Sequence, residues 1–275
     1  MTHLSRNDKL KSVWDFMKNV IWKQRKRLQN KELKFMLIDV HNHSMPGVDD
    51  GSQDSDMTFQ MLQMAYEEGI RDIILTPHYK SAMEQETTQK RYAAYRRACF
   101  LAEKVSPRLK LYLGEELYYD SKMIQRLREG RALTLNGTQY VLVEFPVYVD
   151  YPYIRQAVRD LWAAGYLPVL AHIERYEALK KMEHVKELTE LGAYMQVNAG
   201  SVTGKAGFRM KRYLLELIRN HLVHLVGTDA HNISSRPPQM AKCAAYLKKK
   251  AGVGKAKELC SKNARRILKG EKIGE

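Results

Sequence analysis

Two short patterns, His41-x-His43 and Asp229-x-His231, each place two metal-competent side chains two residues apart. In an extended strand that spacing sends both side chains to the same side of the pleat. Further candidates follow other short apolar runs: His78, Glu115 or Glu116, Glu144, His172 and Asn198. The set is imidazole and carboxylate without thiolate, a donor mixture that suits zinc, iron or manganese. It offers more donors than one ion needs, which implies two or three divalent ions. Closely spaced ions can clamp both the attacking and the leaving oxygen of a phosphoryl group. A single histidine at a strand end is more often structural than a ligand. Here, however, five of the nine histidines sit just beyond the ends of apolar runs, while His3, His184, His221 and His224 do not.

The elements that must position these residues are legible as an alternation. Apolar runs at Phe35–Val40, Asp72–Thr76, Leu109–Gly114, Tyr140–Val143, Leu167–Ala171, Tyr194–Val197 and Val223–Gly227 read as seven buried strands. Between them lie stripes at helical spacing: Leu62, Ala65 and Tyr66; Ile154, Ala157, Val158 and Leu161; Val185, Leu188 and Leu191; Leu214, Leu217 and Ile218. Several of these stretches stop at a glycine, Gly69, Gly165 or Gly192. Strand and helix in turn predict an α/β fold with parallel strands closing into a barrel-like architecture. The strand ends of such a fold open onto one face, where side chains distant in sequence converge.

At this point the motifs resemble those of a known family. Asp39-Val40-His41-Asn42-His43 with Pro46-Gly47-Val48-Asp49-Asp50-Gly51 is similar to the opening motif of the polymerase-and-histidinol-phosphatase (PHP) superfamily. Thr76-Pro77-His78, Gly114-Glu115-Glu116-Leu117-Tyr118-Tyr119, Val143-Glu144-Phe145, Ala171-His172-Ile173-Glu174-Arg175-Tyr176 and Thr228-Asp229-Ala230-His231-Asn232 follow in family order. The Glu-Arg-Tyr after His172 and Ser235-Arg236-Pro237-Pro238 narrow the resemblance to bacterial PHP-type protein-tyrosine phosphatases of capsular and exopolysaccharide synthesis. It spans about residues 36–270 and implies a distorted seven-stranded (β/α) barrel with outer helices and a trinuclear site credited to manganese. The implied activity is hydrolysis of phosphotyrosine by a metal-bound hydroxide. Carried across by motif, the metal ligands are His41, His43, His78, Glu116, Glu144, His172, Asp229 and His231. Glu116 is chosen over Glu115 because the family's acid directly precedes the hydrophobic-Tyr-Tyr segment. Asp50 matches a functional acid, although Asp49-Asp50-Gly51 is also good turn chemistry. Arg175 and Arg236 match arginines that bind phosphate, a role suited to a planar bidentate fork.

Composition bounds the alternatives. A hydrophobic fraction of 44% over 275 residues supports a sizeable core, and no apolar run is long enough to span a bilayer. Cys99, Cys243 and Cys260 are far apart and fit neither a zinc knuckle nor a disulfide framework, so a cytoplasmic protein is expected. The formal charge is +15, of which residues 1–35 contribute +7 from ten Lys/Arg against three Asp/Glu. Residues 1–34 form a basic extension ahead of a barrel domain at 35–275. Leu10, Val13, Trp14, Met17 and Ile21 recur there at helical spacing before Lys23-Gln24-Arg25-Lys26-Arg27. Such a segment is a helix packed on the barrel, a partly disordered tail, or a helix lying in an anionic membrane interface, which would put the protein at the inner membrane face. The expected partner is a tyrosine-phosphorylated protein, with a bacterial tyrosine kinase as the first candidate. Rival readings are another PHP phosphoesterase (a histidinol phosphatase or a nuclease) or a non-catalytic polyanion-binding scaffold. No nucleic-acid-binding module appears in the chain, so no specific nucleic acid is expected.

Overall fold

A computed structural model describes residues 35–79 and 88–274; the basic extension at 1–34 lies outside the described residues. The described residues build nine strand segments: β1 (Leu37–Asn42), β2 (Ile70–Leu75), β3 (His78–Tyr79), β4 (Lys110–Leu113), β5 (Glu116–Tyr118), β6 (Tyr140–Glu144), β7 (Leu167–Leu170), β8 (Tyr194–Asn198) and β9 (Leu225–Gly227). All pair in parallel, in the orders β1-β2-β4 and β3-β5-β6-β7-β8-β9. The seven runs expected from sequence correspond to β1, β2, β4, β6, β7, β8 and β9. The two additional segments arise where a strand is interrupted and resumes. Thr76-Pro77 breaks β2 from β3, since proline cannot donate to the ladder, and Gly114-Glu115 breaks β4 from β5. Pairing continues across both gaps through Gly114 N–H to the Leu75 carbonyl (2.9 Å) and Glu116 N–H to the Pro77 carbonyl (3.1 Å). Beyond β9, Asp229 N–H donates to the His41 carbonyl (2.8 Å) and His43 N–H to the Ala230 carbonyl (2.9 Å). The far edge of the curled sheet is thereby brought back against β1.

The helices among the described residues are α1 (Ser55–Glu67), α2 (Thr88–Val105), α3 (Met123–Arg128), α4 (Tyr151–Ala163), α5 (Met182–Glu190), α6 (Ala199–Thr203), α7 (Phe208–Arg219), α8 (Ala241–Lys257) and α9 (Asn263–Lys269); all but α9 contribute to the apolar cluster outside the strands. The four helical stripes read from sequence fall on α1, α4, α5 and α7. Their apolar members are buried there, apart from half-buried Tyr66 and Leu191. On α1, Asp54 caps the first turn by accepting the Met57 N–H at 2.8 Å.

Two apolar clusters divide the interior according to strand periodicity. One face of the strands meets the helices through Leu37, Ile73, Val141, Val143, Leu170 and Val226. The other face encloses Ile38, Val40, Ile74, Tyr140, Leu142, Val169 and Leu225, and Ala264 and Ile267 of α9 join that cluster. The inward row of several strands changes character along its length. In β6 it runs Tyr140, Leu142, Glu144; through β4 and β5 it runs Tyr112, Gly114, Glu116; in β8 it runs Tyr194, Gln196, Asn198. The apolar start fills the sheet's interior, and the polar end opens at the C-terminal edge. This change of character is what positions the site.

Candidate metal centre

Every histidine and acid expected at the strand ends converges on this edge. The Nε2 atoms of His41 and His43 lie 3.1 Å apart, and each is close to Glu116 Oε2, at 3.2 and 3.3 Å. His78 Nδ1 is 2.9 Å from the same oxygen, and His172 Nε2 is 2.8 Å from Glu116 Oε1. Glu144 flanks both, 3.6 Å from His78 and 3.4 Å from His172. Asp229 Oδ1 lies 3.6 Å from His41 and His43 and 3.5 Å from His231 Nδ1. At the mouth, Asp50 Oδ1 approaches His78 Nε2 (3.4 Å) and His231 Nε2 (3.5 Å), with a side chain 68% exposed. Asp50 therefore occupies a turn and faces the cluster at once. Glu115 points elsewhere: it accepts the Leu133 N–H (2.7 Å) and pairs with Arg91.

These atoms form three overlapping donor groups, each with ligand atoms within 4.8 Å of one another: His43, Asp50, His78 and His231; His41, His43 and Glu116; His78, Glu116 and Glu144. Because they share His43, His78 and Glu116, the groups describe one multi-centre cluster rather than separate sites. Several buried atoms here make no well-aligned hydrogen bond, among them His78 Nδ1, Glu116 Oε2 and His231 Nε2, although imidazole and carboxylate lie side by side. Buried polar atoms without a well-aligned partner are costly. A divalent cation satisfies them together, so the residues present fit metal ions.

Supporting contacts fix which nitrogen faces the cluster. Gln196 Oε1 accepts the His172 backbone N–H (2.7 Å) and also faces His41 Nδ1 (3.1 Å). An oxygen already accepting from an amide must accept from the imidazole too, so His41 carries its proton on Nδ1 and turns the Nε2 lone pair inward. Asp49 Oδ2 likewise receives His43 Nδ1 at 2.7 Å and the His78 N–H at 3.0 Å. Sequence reasoning passed over both Asp49 and Gln196. The available signals were the adjacency of Asp49 to the Asp50-Gly51 turn and the position of Gln196 one inward step before Asn198. Asn198 itself donates to Asp229 Oδ2 (2.8 Å). Two site residues, His172 and Asp229, take left-handed backbone conformations with φ of 32° and 53°. Asn136 and His221 do so elsewhere in the chain, and Asn, Asp and His are the non-glycine residues that tolerate this region best.

Charge follows from these contacts. Burial would raise the Glu116 carboxyl, yet the surrounding His41, His172 and His43 hold it well below the usual carboxylate range. Burial pulls His43 down, but hydrogen bonds to Asp49 and Glu116 outweigh it and push the imidazole up to about 10. His172 is raised to about 9, because Glu116 and Glu144 outweigh its burial. His231 is driven down to about 3, first by burial and then by neighbouring His43. Burial opposes ionisation of Asp229 as well, but His41 and Arg175 hold its carboxyl well below the usual range. Arg175 and Arg236 bracket this carboxylate at 2.5 and 2.6 Å and are each about one-third exposed. They line a cavity of about 320 Å³ with Glu174, Asn198, Lys205 and Asp229.

Residues 37–269 match the family model described as "Capsular polysaccharide synthesis, CpsB/CapC". The chain is 34% identical over 246 residues to tyrosine-protein phosphatase CpsB of Streptococcus pneumoniae, covering 86% of this chain and all of that protein. It is 33% identical over 239 residues to tyrosine-protein phosphatase YwqE of Bacillus subtilis, covering 86% of this chain and 93% of the relative. In three dimensions it superposes on a solved structure from work on YwqE and S. pneumoniae CpsB, described as unique metal-dependent tyrosine phosphatases. The TM-score is 0.80 at 32% identity, with 86% of this chain and 96% of the other covered. The matched stretch contains the whole cluster from His41 to His231. On this agreement of sequence, fold and extent, the chain belongs to the CpsB/CapC family of capsular polysaccharide synthesis.

Proposed function

We propose that the protein is a metal-dependent protein-tyrosine phosphatase acting in capsular or exopolysaccharide synthesis. One observation carries the reading: buried imidazoles and carboxylates gather within ligand distance of one another beside two arginines at the mouth of a cavity. His41, His43, His78, Glu116, Glu144, His172, Asp229 and His231 hold two or three divalent ions, with manganese favoured over iron or zinc. Such ions, when bound, acidify water and neutralise phosphate charge. Gln196 and Asp49 keep His41 and His43 oriented for that duty. Arg175 and Arg236 leave part of their pairing with Asp229 to grip the non-bridging oxygens of a phosphomonoester. Asp50, exposed between His78 and His231, holds the incoming water or passes a proton to the departing phenolate, whose conjugate acid has a pKa of about 10.

The same reading assigns the curled parallel sheet to the distorted seven-stranded PHP barrel, with residues 35–275 as its domain and 1–34 as an appendage. The partner is a tyrosine-phosphorylated protein, with a bacterial tyrosine kinase first among candidates. The setting is the cytoplasm, and residues 1–34 are available to engage anionic lipid at the inner membrane face. No helix among the described residues is long and apolar enough to cross a membrane.

The test is turnover of a phosphotyrosine peptide, histidinol phosphate and single-stranded DNA by protein reconstituted with Mn, Fe or Zn. Phosphotyrosine should be hydrolysed preferentially, and the double change His41→Ala with His43→Ala should remove bound metal and turnover together. Activity confined to DNA, or turnover surviving the double change, would sink the proposal.

A further inference from the structure

The positive charge of this chain is concentrated away from the site. Residues 36–204 carry nineteen Lys/Arg against twenty-three Asp/Glu, a net −4, whereas residues 205–272 carry seventeen against four, a net +13. That excess lies on α7, α8 and the turns of helix after them. On α7, Arg209, Arg212 and Arg219 are exposed; on α8, Lys242, Lys248, Lys249 and Lys250 are exposed before the helix kinks at Gly252 (φ 89°), Lys257 is exposed beyond the kink, and Lys262 and Lys269 follow. The Lys211 ammonium lies 4.4 Å from the centroid of the Tyr246 ring, which sets α7 and α8 side by side and joins their outer surfaces. Two apolar residues stand out among these cations, Phe208 at 79% exposure and Val253 at 53%.

We propose that this α7–α8 face docks the protein on an anionic lipid surface. Surface lysines and arginines are attracted to the negative potential of acidic lipid headgroups, and projecting apolar side chains gain by entering the headgroup–acyl boundary. A single-stranded nucleic-acid site would call for a groove that tracks the backbone, with aromatic platforms for bases, and duplex DNA, which needs only cations facing phosphates, would draw nothing from exposed Phe208 and Val253. The exposed cations here stand on the solvent-facing surfaces of two neighbouring helices, and those of α8 are all lysine. The docking also has a direction. Lys205, just before α7, donates to the Ser235 carbonyl beside Arg236, and Gln239, just before α8, lines the same cavity as Arg175. Both helices therefore start at the rim of the metal centre, so a membrane on their outer side brings that rim close to the bilayer. The inference concerns binding alone and stands apart from the phosphatase reading, because its readout is partition onto lipid.

The full chain is mixed with vesicles of phosphatidylcholine, alone or with phosphatidylglycerol, and bound protein is separated by sedimentation. Binding should require the acidic lipid and weaken with salt. The triple change Arg212→Gln, Lys249→Gln and Lys250→Gln should reduce it at least tenfold, at about fivefold per charge near the surface. Turnover of a small aryl phosphate should be unchanged. Phe208→Ser should weaken vesicle binding severalfold while leaving any binding to duplex DNA unaltered. A separate variant with Lys23, Arg25, Lys26 and Arg27 changed to Gln measures the contribution of the extension. Hydrogen exchange of the unaltered protein on vesicles should show protection at residues 208–219 and 241–257, a readout independent of how the variants fold. The proposal is overturned if the triple variant binds vesicles as the parent does. Loss of binding only with the extension variant, protection elsewhere, or binding to DNA without binding to vesicles overturns it equally.

Discussion

His43 shows how a buried imidazole is made a strong donor. Its Nδ1–H is held by Asp49 at 2.7 Å, and its Nε2 faces His41 and Glu116. A carboxylate behind a ligating histidine fixes its tautomer and raises its basicity, and loss of such a partner typically costs 10–100-fold in metal affinity. Asp49→Asn should therefore weaken Mn binding by roughly that factor in calorimetry; unchanged affinity would show that Asp49 serves only the turn. Protonation gives a second expectation. In the metal-free protein His43 and His172 are raised to about 10 and about 9, so both carry protons at neutral pH. Metal must displace those protons, since only the neutral imidazole coordinates. Affinity should accordingly rise with pH through 7 to 9, flatten above about 10, and be accompanied by proton release. Calorimetry in buffers of different ionisation enthalpy measures that release, and its absence would contradict the placement of these histidines among the ligands.

At the scale of elements, the site depends on how closely β9 approaches β1. A Cβ placed on Gly227 would lie 2.7 Å from the His41 Cβ and 3.1 Å from Gln196 Nε2. Neither neighbour can retreat without disturbing the metal-facing imidazole, because Gln196 is also tied to the His172 backbone. Gly227→Ala should lower turnover by on the order of a hundredfold, since small misplacement of reacting groups carries such penalties. The fold should be retained, as checked by circular dichroism beside the kinetic assay. A fully active Gly227→Ala protein would mean that β9 can move away from β1 at no cost. Elsewhere the elements explain how His78 and Glu116 come to lie in short strand segments of their own. Pro77 and the Gly114-Glu115 pair interrupt the ladder, and β3 and β5 resume to carry His78 and Glu116.

For the whole molecule, the curled sheet joins a dry interior to an ionisable upper layer. Without cations that layer holds buried imidazole and carboxylate atoms that make no well-aligned hydrogen bond, so metal should bind the native state far better than the unfolded chain. Divalent metal at about one hundred times its Kd then adds about 2.7 kcal/mol, which for a chain of this size raises Tm by on the order of 5–10 °C. Thermal unfolding with Mn and with a chelator measures the shift, and coincident transitions would argue against a metal centre built into the fold.

The sequence alone determined the alternation of strands and helices and the residues worth examining at each strand end. Both follow from local rules: apolar runs, helical periodicity, and polar side chains where a run stops. It also carried the ordered motifs that point to the family. It left Glu115 and Glu116 equivalent on chemistry, and Asp50 readable as a plain turn residue. Only the tertiary structure turned Glu115 toward Arg91 and Glu116 into the cluster, and only there did Asp49 and Gln196 emerge as the groups that orient His43 and His41. Such partners are far apart along the chain, as Gln196 is from His41, or hidden inside ordinary turn chemistry, as Asp49 is. Which carboxylate meets which imidazole is decided by strand register and sheet curvature, and no local pattern encodes either.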